Sequence, residues 1–203
     1  MEPGAVEHLR ERDARLRPWI DRIGPIALPA RRSRDPYRAL LESIVYQQLH
    51  GTAAQTIWKR VLALFGNRTP TPEQLLATDD QRLRAAGLSG GKTRSMKAVA
   101  AGALAGEVPG ARAMARMPET AIHECLTRIH GIGPWTVDML LIFTLARPDV
   151  MPLGDYGIRK GFMIAHRKRK MPTPGQLLEG SAPWSPYRTT AALYLWKIAD
   201  AAK

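Results

Sequence analysis

Residues 129–155, IHGIGPWTVDMLLIFTLARPDVMPLGD, hold a Gly-x-Gly turn, Gly131-Ile132-Gly133, closed by Pro134, and end in an isolated aspartate, Asp155, within a Pro- and Gly-bounded turn. Two helices joined through Gly131 and Gly133 leave backbone N–H groups at the start of the second helix without helical partners. Glycine lets a phosphate come close to those groups, and the helix dipole adds partial positive charge. A turn of this kind grips a nucleic-acid backbone without reading its bases. Gly-x-Gly alone also describes an ordinary helix–helix turn. Apolar Leu126 and Ile129 before it, with Val137, Leu140 and Leu141 after it, favour the DNA-binding form. Asp155 taken alone is the cap of the helix that follows. A carboxylate one helix away from a phosphate grip is also placed for chemistry beside the backbone.

Charge and composition fit such a partner. Among 203 residues, 30 Lys and Arg stand against 18 Asp and Glu, a formal net charge of +12, and the pI is near 10.4. A surplus this large in a chain with 45% hydrophobic residues points to a polyanion, with nucleic acid ahead of an anionic membrane surface. The longest apolar run, 139–146, is far too short to span a bilayer, and the Glu- and Arg-studded N-terminus does not resemble a secretory signal. The single cysteine, Cys125, excludes an internal disulfide framework, a Cys-ligated iron–sulfur cluster and a four-cysteine zinc site. An intracellular protein is expected, in the cytoplasm or nucleoid of a bacterium or the nucleus of a eukaryote.

The elements that must position these residues are helical. Asp35-Pro36 combines a capping carboxylate with a proline at the first helical position. Leu40, Leu41, Ile44, Val45 and Leu49 then repeat at helical spacing over 37–49. Further helices are expected at 5–17, 52–65, 92–104, 118–129, 134–146, 155–165 and 187–201, with shorter ones opened by Thr71-Pro72-Glu73 and Thr78-Asp79-Asp80. Residues 18–29, 109–117 and the Pro-rich stretch before 187 read as irregular. No alternating strand pattern and no repeat appear, which predicts an all-α domain of about ten helices. Two lobes are expected, 1–35 with 118–203 and 36–117, with a substrate cleft between them.

LTRIHGIGPWTVDMLLIF followed by MPLGDYGIRKGF resembles the helix-hairpin-helix-GPD (HhH-GPD) superfamily of DNA glycosylases, specifically the alkylation-repair branch, the 3-methyladenine DNA glycosylase II group. LLESIVYQQLHGTAAQTIWKRV upstream and WSPYRTTAALYLW near the C-terminus agree, so the resemblance covers about residues 36–200. It is strongest to the compact members, without the N-terminal β domain of longer bacterial enzymes. By motif, Asp155 falls on the catalytic aspartate. Hydrolysis of an N-glycosidic bond builds positive charge on the deoxyribose, which a nearby carboxylate stabilises while positioning or deprotonating the attacking water. A helix N-terminus favours that negative charge, so cap and catalyst are compatible. Asp138, one helix earlier, falls on a non-catalytic position.

Trp135 stands where bifunctional relatives carry the lysine that attacks the sugar, so the resemblance implies a reaction that stops at the abasic site. In the alkylation branch this tryptophan lines the base pocket, where an electron-rich ring suits a cationic alkylated purine. Tyr187 and Trp184 fall on positions near the flipped base, Met139 replaces an aromatic of better-known members, and Trp196 reads as core. Extrusion of a base leaves a gap that the enzyme must fill. The resemblance assigns that wedge to Gln48, with Leu49 and His50 entering the minor groove, while Gln47 reads as a polar group bonding backbone. Lys92, at a helix start, and Arg188 are expected at the DNA, and the HRKRK run at 166–170 reads as a solvated face. The backbone carbonyls of Thr127, Ile129 and Ile132 match those that hold a monovalent cation, Na+ or K+, in the superfamily; no cofactor is otherwise required. The expected function is a monofunctional glycosylase that removes bases of the 3-methyladenine and 7-methylguanine type from duplex DNA, acting as a monomer. A glycosylase for another damaged base and a non-catalytic damage-sensing DNA-binding protein are the alternatives.

Overall fold

Asp35, Thr71, Asp79, Ser89, Asp155 and Thr173 each open a helix by accepting a backbone N–H of the first turn on the side chain. The structure, a computed structural model, describes residues 4–26, 35–49 and 51–201, and among them every regular element is a helix. His50 lies outside the described residues. In chain order the α-helices are α1 (Ala5–Arg12), α2 (Arg17–Ile23), α3 (Pro36–Tyr46), α4 (Gly51–Ala63), α5 (Pro72–Ala77), α6 (Asp80–Ala85), α7 (Gly90–Leu104) and α8 (Ala111–Met114). They continue with α9 (Glu119–Leu126), α10 (Pro134–Phe143), α11 (Tyr156–Ala165), α12 (Pro174–Ser181) and α13 (Arg188–Ala201), with a single 3-10 turn at Ala182–Trp184. No helix among the described residues is long and apolar enough to cross a membrane.

Three helices occupy stretches expected to be irregular. In α2, Pro18 sits in the first turn, where its missing N–H removes no helical bond. In α12, Thr173 and Gln176 form a reciprocal capping box around Pro174. Proline opens these helices instead of preventing them. The third, α8, is a single short turn after Gly110.

The chain divides into two units, Met1–Ala30 with Leu141–Lys203, and Arg31–Leu140. In the first, α11 packs on α13 around fully buried Ile158, Trp184, Tyr194 and Ile198. In the second, α3 and α5 pack on α7, burying Leu40, Ile44, Leu75 and Met96. The boundary expected at 118 thus falls inside α10, and residues 118–140 group with the middle of the chain. The packing explains this, because a Cβ built on Gly131 or Gly102 meets Ser95 or Ile129, tying the hairpin to α7.

Candidate active site

In the unit Arg31–Leu140, α9 and α10 are joined by a tight turn in which the Ile132 N–H donates to the Ile129 carbonyl at 3.1 Å. Gly131 adopts φ +85°, and a Cβ there would lie 1.9 Å from Ser95 Oγ. Both facts require glycine, so the residue seats the hairpin on α7. Gly133 differs: a Cβ there would have no neighbour within 4 Å. Packing does not demand that glycine, and its bareness leaves open surface at the N-terminus of α10. His123 Nε2 and Asp138 Oδ1, 3.1 Å apart, tie α9 to α10. Asp138 is only 9% exposed, so it is an internal strut of the hairpin. The carbonyls of Thr127, Ile129 and Ile132 are neutral oxygens of the kind that replace a monovalent ion's water. No group of three or more His, Cys, Asp or Glu that could hold a metal occurs among the described residues.

The α3–α4 turn stands in the same unit. Gln47 is half-buried, and its Nε2 donates to the Gly131 carbonyl at 3.2 Å and to Thr136 Oγ1 at 3.1 Å. The next residue, Gln48, is exposed with φ +57°, and Leu49 beside it is 40% exposed. The turn thus presents an apolar side chain bared beside a left-handed residue. Lys92, expected at the DNA, is engaged within the protein. Its Nζ donates to the carbonyls of Val45 at 2.7 Å and Gln47 at 2.9 Å, because the C-terminal carbonyls of α3 lack helical partners and attract a cation. Burial holds the Lys92 ammonium below its usual pKa. Trp135 and Met139, one helical turn apart on α10, are both half-buried and so share a partly open face.

In the unit formed by the chain ends, Asp155 caps α11, accepting the Ile158 N–H on Oδ1 at 2.8 Å. The same oxygen accepts the indole N–H of Trp196 at 2.9 Å. Trp196 stacks on Phe143 with ring centres 5.9 Å apart. A Cβ on Gly157 would come within 2.9 Å of Trp196 Cδ1, and one on Gly161 within 2.1 Å of the Leu195 carbonyl. Two bare positions one turn apart therefore let α11 and α13 approach closely enough for the indole to reach the carboxylate. Trp196, expected in the core, packs against the core cluster of its unit and also donates to this carboxylate, a contact that sequence pattern alone missed.

The C-terminal candidates separate. Tyr187 is half-buried, with its ring edge-on to His8 at 5.2 Å. Arg188 is engaged by Asp149 through Nε to Oδ1 at 2.9 Å and Nη2 to Oδ2 at 2.8 Å. Asp149 also accepts the Ser185 hydroxyl at 2.8 Å, so it fixes both sides of Tyr187. Burial pushes the Asp149 carboxyl up, but its bonds from Arg188 and Ser185 outweigh that and hold it below the usual value. Arg188, expected at the DNA, is thus held within its own unit as a strut for this turn. Trp184 has no exposed surface and donates its N–H to Asp13 Oδ2 at 2.9 Å. A side chain so enclosed cannot stack on a base; it belongs to the core with Phe162 and His166.

Comparison with known proteins bears on what these two units do. The profile of the HhH-GPD superfamily base excision DNA repair proteins matches residues 41–186. The chain is 41% identical to DNA-3-methyladenine glycosylase 1 of Schizosaccharomyces pombe over 170 residues, 83% of this chain and 75% of that protein. The structure of a 3-methyladenine DNA glycosylase from S. pombe in complex with abasic DNA superposes with a TM-score of 0.87 at 37% identity, covering 95% of each chain. A DNA-3-methyladenine glycosidase from Bacillus halodurans superposes with a TM-score of 0.84 at 35% identity, covering 98% of this chain and 89% of the other.

Proposed function

The chain belongs to the HhH-GPD superfamily of base excision DNA repair proteins, and on that premise we propose that it is a monofunctional DNA glycosylase releasing alkylated purines from duplex DNA. The observation that carries the proposal is Asp155, held on one oxygen by its own helix and by Trp196. Two donors on one side of a carboxylate fix its orientation. An oriented carboxylate stabilises the positive charge that the deoxyribose gains as the base leaves, and directs water to the sugar. Cationic bases such as 3-methyladenine and 7-methylguanine are already good leaving groups, so modest catalysis suffices. Trp135 supplies a ring for cation–π contact with such a base and offers no amine for a Schiff base.

The hairpin N–H groups at Gly133 and the +12 net charge hold the backbone, and the carbonyls of Thr127, Ile129 and Ile132 would hold a monovalent cation that adds positive charge beside phosphate. The enzyme works inside the cell, as a monomer on duplex DNA, with water as its second substrate and no redox cofactor. The test is to incubate wild type and Asp155→Asn with DNA carrying 7-methylguanine and to measure free base and strand breaks separately. Wild type releases the base without breaking the strand, and Asp155→Asn releases none. Equal release by both proteins removes Asp155 from the mechanism; strand breaks by wild type without added alkali refute the monofunctional reaction.

A further inference from the structure

The exposed turn Gln47–Gln48–Leu49 is fastened from two directions, and neither fastening is explained by burial of apolar surface. From one side, the Lys92 ammonium spans the carbonyls of Val45 and Gln47, the residues that flank the last turn of α3 and the start of the loop. From the other, the Gln47 amide reaches across 84 positions to the Gly131 carbonyl and to Thr136 Oγ1 on the first turns of α10. Gln48, between them, is held at φ +57°, a backbone conformation that non-glycine residues seldom occupy and that persists only where its surroundings impose it. The result is a chain of hydrogen bonds from Lys92 through the Gln47 backbone and side chain to the hairpin, with Gln48 and Leu49 left exposed at its tip.

We propose that Lys92 and Gln47 are positioning residues for base extrusion: they lock the Gln48–Leu49 tip to the hairpin, so that seating the hairpin on the backbone delivers the tip to the base stack in one rigid step. This rests on the glycosylase reading above. A loop free to move would have to be ordered at the moment of extrusion, and ordering opposes the step. A braced tip has met that requirement before DNA arrives. Lys92 is then not a phosphate contact: two of its three N–H donors are committed to backbone carbonyls of the protein.

The test compares 7-methylguanine placed opposite cytosine with 7-methylguanine placed opposite a tetrahydrofuran abasic analogue, where no pairing resists extrusion. Single-turnover base release is measured for wild type, Lys92→Met, Lys92→Arg, Gln47→Leu and Gln47→Glu. Because unpairing is the step a wedge serves, Lys92→Met and Gln47→Leu slow release of the paired base by about tenfold or more and release of the unpaired base by no more than about twofold. Lys92→Arg, which retains donors for both carbonyls, restores most of the paired rate. Gln47→Glu, equal in size but without the amide donor, behaves as Gln47→Leu and keeps the test open if the leucine variant folds poorly. A merely structural role slows both substrates alike, and that result overturns the proposal. A phosphate contact at Lys92 lowers the slope of log affinity against log salt by about 0.9 in Lys92→Met; an unchanged slope supports the brace and a reduced one overturns it. Failure of the wild type to release either base overturns the glycosylase reading itself, whereas normal wild-type release with matched losses in the variants overturns only the brace.

Discussion

The indole N–H of Trp196 and Oδ1 of Asp155 lie 2.9 Å apart, joined across 41 positions of sequence. That oxygen also caps α11 through the Ile158 N–H, so one atom serves both the fold and the site. Trp196→Phe removes the indole donor and retains a ring to stack on Phe143. A hydrogen bond to a charged group contributes about 2 kcal/mol, and each ~1.4 kcal/mol is tenfold in rate. The expected outcome is a fall of up to about thirtyfold in single-turnover base release, with DNA affinity unchanged in a binding titration. An unchanged rate would show that the bond is only structural.

Asp155→Asn separates the same two roles. Asparagine caps a helix nearly as well as aspartate, so the melting temperature moves little while base release is lost. Unfolding of this variant under conditions that leave the wild type folded would mean that the carboxylate is needed for the fold, contrary to expectation.

The two hairpin glycines respond differently to the same change. At Gly131, alanine meets Ser95 Oγ at 1.9 Å with φ +85°, which destabilises the chain by about 2 kcal/mol or more. Gly133→Ala adds a methyl to open space. It leaves the urea midpoint near that of wild type and weakens binding to undamaged duplex, because the methyl obstructs phosphate approach. A Gly133→Ala variant that binds duplex normally would remove this N-terminus from the grip.

Trp135→Ala removes the ring offered to a cationic base. Cation–π contact is worth about 0.5–2 kcal/mol, which raises KM for 7-methylguanine DNA by up to about thirtyfold while affinity for undamaged duplex is kept. Equal losses for damaged and undamaged DNA would place Trp135 on the backbone side instead.

Acid sensitivity originates away from the site. Burial pushes the Asp13 carboxyl up, but the hydrogen bond and charge of His166, the Leu16 N–H and the Trp184 N–H outweigh it and bring it down to about 2. A carboxyl depressed in the folded state stabilises fully above its ordinary value, near 3.8, and loses that contribution as pH falls toward 2. Asp13→Asn is therefore less stable at pH 7 by about 2 kcal/mol, and its stability is flatter than wild type between about pH 4 and 2. Urea unfolding across that range measures both.

What could be read along the chain was local. Capping carboxylates, prolines at helix starts and apolar residues at helical spacing predicted an all-α chain, and a Gly-x-Gly turn followed by Asp155 marked the hairpin and the carboxylate. These signals sit within one turn of the element they define, and so they survive without tertiary context. A proline looks the same in sequence whether it opens a helix, as Pro18 and Pro174 do, or ends one; the Thr173–Gln176 box marks the start at Pro174, whereas no side-chain cap marks the start of α2.

Partnership was decided elsewhere. Trp196 and Trp184 are both tryptophans in the same C-terminal block, yet one donates to Asp155 and the other, fully buried, donates to Asp13 across 171 positions. Lys92 and Arg188 are both cations beside candidate DNA-binding elements, yet backbone carbonyls occupy the first and Asp149 the second. A side chain's chemistry is set by its type, and that is written in the sequence. Which donor meets which acceptor depends on how closely helices pack, and here that depends on the absent side chains of Gly131, Gly157 and Gly161. The sequence by itself determined a helical, basic chain with a hairpin and a capping carboxylate; the tertiary packing decided which residues hold that carboxylate and that hairpin in place.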